Sequence, residues 1–190
     1  MDFCGFEEAW KTLNSMGVVK LEDSTEELLC TGLDDLDELI ILDLLGKTQN
    51  ADSISFPIRE EKAADALEAI LHSLHLTPLL LFPIGRWRKV FEGIGFELAE
   101  NSDWQEIDSA ATIELNTHDP LHCEPGDLHV VHDVLATILR CGKEHGHGVT
   151  LAALGKPLLI VIEPPGLLRV EMFGEALATE VRELLEQFKA

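Results

Sequence analysis

Six of the chain's eight histidines lie between positions 118 and 147, and the run His118-Asp119-Pro120-Leu121-His122-Cys123-Glu124 sets imidazole, thiol and carboxylate close together. Those groups are the ligands of zinc and similar divalent ions. His129 and His132 follow on a segment of helical periodicity, three residues apart, so both can face one point. A metal-binding reading therefore draws its ligands from His118, His122, Cys123, His129 and His132, with Glu124 or Asp133 as general base or outer carboxylate. Zinc is the metal it implies, and a metal-dependent hydrolase is the matching activity. The spacing nevertheless fits no metal signature of known geometry: there is no H-E-x-x-H and no C-x-x-C, and Pro120 keeps His118 and His122 from forming a helical i, i+4 pair. The plainer alternative makes these histidines solvated or rim residues, and on it no cofactor is expected.

Two further groups could carry chemistry. Cys123 with His129 or His132 offers a thiol beside a base, without any flanking nucleophile motif. Gly85-Arg86-Trp87-Arg88-Lys89 is the one concentrated run of positive charge, and three cations around a tryptophan would suit an anionic ligand or an acidic partner. Alternation along a hairpin, with Trp87 packed inward and Arg88 wet, explains the same run without a ligand. Neither phosphate-loop motif, G-x-G-x-x-G or G-x-x-x-x-G-K-[ST], is present.

Periodicity predicts the secondary structure around these residues. Phe6, Ala9, Trp10 and Leu13 predict a short helix over 5–16. From Glu22 to Asp43 there are nine carboxylates and no basic residue, with Leu29, Leu33, Leu36, Ile40 and Leu44 at helical spacing; two helices or one kinked helix are predicted there. Such a segment is either a helix with an acidic wet face or a docking face for a basic partner. The polar stretch 47–53 reads as a linker. The chain thus divides into an acidic helical N-terminal extension, 1–50, and an α+β domain, 51–190.

Within that domain one pattern recurs. Asp65, Leu67, Ile70, Leu71, Thr77-Pro78-Leu79-Leu80, Gly85 and Arg88 are matched in order by Asp133, Leu135, Ile138, Leu139, Lys156-Pro157-Leu158-Leu159, Gly166 and Arg169. The two units, 54–99 and 111–173, read as βαββ half-repeats. The first comprises a strand at 54–57, a helix at 59–75, a hairpin of strands at 78–84 and 86–91, and a further strand at 93–99. The second comprises a strand at 112–115, a helix at 127–142 and strands at 149–153, 158–163 and 167–173, and a last helix fills 174–188. The expected fold is a two-layer α+β domain, an antiparallel or mixed sheet with helices on one face.

Composition narrows the partners. A formal net charge of −21, from 35 acidic and 14 basic residues, repels polyanions, so neither nucleic acid nor an anionic membrane surface is expected. The apolar runs are far shorter than the roughly 20 residues that a spanning helix requires. Met1 to Trp10 carries Asp2, Glu7 and Glu8 and reads as no signal peptide, which implies a cytoplasmic location. Cysteines at 4, 30, 123 and 141 lack any paired spacing and are expected to be reduced. Two functional readings follow: a non-enzymatic interaction or adaptor module, bound to a protein partner or to a second copy as a homodimer, and a metal-binding protein or metal-dependent hydrolase built on residues 118–132.

Overall fold

A computed structural model describes residues 1–15, 18–21, 41–44, 51–57, 60–92, 94, 117–141, 148–163 and 167–188. In chain order the elements are β1 (Asp2–Phe3), α1 (Phe6–Ser15), β2 (Val18–Leu21), β3 (Ile41–Leu44), β4 (Ala51–Pro57), α2 (Glu60–Ser73), β5 (Leu79–Pro83), α3 (Trp87–Glu92) and β6 (Leu121–Cys123). A 3-10 turn (Pro125–Asp127) leads into α4 (Leu128–Cys141), followed by β7 (Val149–Ala153), β8 (Leu158–Glu163), β9 (Leu167–Phe173) and α5 (Glu175–Glu186). Seven strands form an antiparallel sheet in the order β1-β6-β5-β7-β8-β9-β4, and β2 pairs with β3 in a separate ribbon. The α+β class is therefore the observed one.

The central strands explain the layering. Leu79 to Phe82 and Leu158 to Ile162 are unbroken apolar runs, Val149 to Ala153 is interrupted only by Thr150, and every residue in the three is buried. A strand buried on both sides has no reason to alternate. Leu79, Leu81, Leu151, Ala153, Leu158 and Ile160 face the core beneath α2, α4 and α5, which contribute Leu67, Ile70, Leu135, Ile138, Val181 and Leu185 among others. Their neighbours Leu80, Phe82, Ala152 and Leu159 point the other way, into a second cluster closed by Ala9 and Leu13 of α1. The helices α2, α4 and α5 thus form the expected layer, and α1 adds cover on the opposite face. The β2–β3 ribbon lies beside α1 and against β8 and β9.

Several expectations are corrected. The first fifteen residues belong to the sheet assembly rather than to an extension, because β1 pairs with β6 and α1 seals the second cluster. Ile41–Leu44, at the end of the expected acidic helices, is a strand paired with Val18–Leu21, and Leu21 stands opposite Ile41. The rest of that acidic segment, 22–40, lies outside the described residues, as do the expected strand at 112–115 and, apart from Ile94 in a turn, that at 93–99. Residues 51–53 of the expected linker belong to β4, which pairs with β9 along its whole length.

The expected hairpin after Gly85 is a helix. Trp87, Val90, Phe91 and Ile94 are all buried, and their spacing of three, four and seven is that of a helix face. A strand would have placed Trp87 and Val90 on opposite faces. The half-repeat loses its match at the same point, since β5 is followed by α3 whereas α4 is followed by β7, β8 and β9 in succession. The aligned segments at Leu79 and Leu158 are separated in the sheet by β7.

Candidate functional site

The segment from Thr117 to Glu124 was the richest in chemistry, and its side chains are engaged by their neighbours one after another. His118 sends its Nδ1–H to the carbonyl of Gly85 at 2.6 Å. A carbonyl can only accept, so Nδ1 is the donor in this bond. Asp119 Oδ1 accepts the backbone N–H of Phe6 at 2.8 Å, which caps the start of α1 from a distant part of the chain. The Asp119 carbonyl receives the indole N–H of Trp87 at 2.8 Å, and Thr117 Oγ1 receives the Asp119 N–H at 3.0 Å. The Pro120 carbonyl receives the Cys4 N–H at 3.0 Å. Four residues, Thr117 to Pro120, thereby tie Cys4 after β1, the start of α1, α3 and the Gly85 turn together.

Cys123 is fully buried on the helix-facing side of β6. Burial, reinforced by the Asp127 carboxylate and by Cys4, pushes its thiol up to about 12. The thiolate is the reactive form, so this environment disfavours both nucleophilic attack and metal ligation. Cys4 is a free thiol as well, raised by burial and by Asp119 and Glu8.

The remaining members of the set diverge. His122 lies on β6 facing away from Cys123, with Nδ1 at 3.8 Å from Glu124 Oε1. Glu124 is exposed, and its backbone N–H donates to Asp127 Oδ2 at 2.8 Å. Burial alone would raise the Asp127 carboxyl, but the Glu124 amide and the Met1 ammonium, at 3.0 Å from Oδ1, outweigh it and hold the group below its usual range. His129 is exposed on α4.

His132 meets charged groups from α2 as well as from its own helix. Its Nε2 lies 3.8 Å from Glu68 Oε2 on α2, and its Nδ1 lies 3.6 Å from Asp133 Oδ1. The other oxygen of Glu68 is 3.9 Å from His72 Nε2, one turn further along α2. These separations are ion-pair contacts when the imidazoles carry protons and are too long for hydrogen bonds. Glu68 and His72 were not singled out from sequence, although their i, i+4 spacing was visible; only the packing of α2 on α4 brings them to His132. Among the described residues, no group of three or more His, Cys, Asp or Glu side chains is placed to hold a metal ion.

In the basic run, Trp87 is withdrawn from any surface role. Its ring is fully buried, stacked on Phe91 at 5.3 Å between centroids and met edge-on by Phe3 at 6.3 Å. Arg88 is exposed, and Arg86 and Lys89 are half-buried. The run supplies charge without an aromatic platform for a ligand.

Elsewhere in the fold, Glu171 is a buried acid, with Oε1 at 3.1 Å from Arg169 Nε two residues away on β9. Lys156 donates to the carbonyl of Leu74 and so satisfies the C-terminal end of α2. No helix among the described residues is long and apolar enough to cross a membrane. No protein-family model, curated protein or solved structure matches this chain, and its functional reading therefore rests on its own residues.

Proposed function

We propose that the protein is a non-enzymatic, cytosolic protein-interaction module whose docking element is the acidic segment from Glu22 to Asp43. The observation that carries this reading is the composition of that segment: nine carboxylates, no basic residue, and Leu29, Leu33 and Leu36 at helical spacing between them. The pairing of Leu21 with Ile41 supports it, because both ends of the 22–40 stretch are held at one place on the fold, with β3 against β8 and β9. An acidic and apolar surface recognises a basic amphipathic chain, through long-range attraction first and burial of the leucines afterwards. The engagement of His118 and Asp119 in the scaffold and the burial of Cys123 favour a structural role over a catalytic one for their segment.

A fluorescently labelled amphipathic peptide rich in Lys and Arg tests the reading. Saturable binding is expected, weakening as salt rises and lost when Glu26, Glu27, Asp34 and Asp35 are changed together to their amides. Equal binding by wild type and the amide variant would overturn it. Light scattering on the same samples reports whether the partner is instead a second copy, whose Arg86–Lys89 run carries the complementary charge.

A further inference from the structure

We draw no further inference here: the strongest candidate, the cluster of Glu68, His72, His132 and Asp133 between α2 and α4, brings two imidazoles to one carboxylate, but its donors are not placed for three of them to hold a metal ion and nothing else among the described residues on that face points to a ligand.

Discussion

At the scale of single residues, the groups richest in chemistry are engaged by the fold, and the consequences can be measured. Cys123 is held as a neutral thiol by burial, with its pKa at about 12. At pH 8 an electrophile such as iodoacetamide should leave Cys123 unmodified in the folded protein and label it after denaturation; peptide mass spectrometry distinguishes it from the other cysteines. Rapid labelling of the native thiol would reinstate a nucleophile. Asp119 shows a second kind of engagement, because its carboxylate caps α1 across 113 positions of sequence. Asp119→Ala should lower stability by about 1 to 2 kcal/mol in urea unfolding, whereas Asp119→Asn, which keeps an acceptor, should lose much less. Equal losses would mean that the negative charge, rather than the hydrogen bond, supports the helix.

At the scale of elements, close backbone approach sets the tolerances. Gly148 precedes β7, and its carbonyl receives the N–H of Ile84, extending the pairing of β5 with β7 by one step. A Cβ placed on Gly148 would lie 2.0 Å from the carbonyl oxygen of Ile162 on β8, a backbone atom that cannot turn aside. Gly148→Ala should therefore cost about 3 kcal/mol or more, or abolish soluble expression, because β7 would have to separate from β8. Gly155→Ala gives a different kind of strain: its surroundings are open, but φ is 109°, so the loss comes from the backbone alone. Full stability in Gly148→Ala would show that β7 and β8 are less closely paired than their register implies.

At the scale of the whole molecule, the charge balance dominates. A net charge of −21 on a folded chain is self-repulsive, and the repulsion is relieved on unfolding. Raising salt from about 0.01 M to about 1 M shortens the screening length from roughly 30 Å to roughly 3 Å, so the midpoint of thermal unfolding should rise across that range. Calorimetry reads this directly. A midpoint that falls with salt would mean that attractive pairs such as Arg169 with Glu171 outweigh the net repulsion.

The α+β class, α1, α2, α4, α5 and the three consecutive strands β7, β8 and β9 were legible in the sequence, because the helices carry a period of 3.6 residues, β7 and β8 are mostly apolar runs, and β9 alternates Leu168, Val170 and Met172 with Arg169 and Glu171. The spacing of Trp87, Val90 and Phe91 also fitted α3, but the match of Gly85 and Arg88 to Gly166 and Arg169 of the later unit favoured a strand. The second covered face was likewise legible in the unalternating runs of β5, β7 and β8. The fate of the chemistry came from packing between distant segments: Cys123 faces the core, Asp119 reaches Phe6, and His132 meets Glu68 while His118 turns to Gly85. Range separates the two. Periodicity reports which face of an element is buried, but contacts made across 33 to 116 positions leave no mark on local spacing, and such contacts decide whether a histidine or cysteine is available for chemistry.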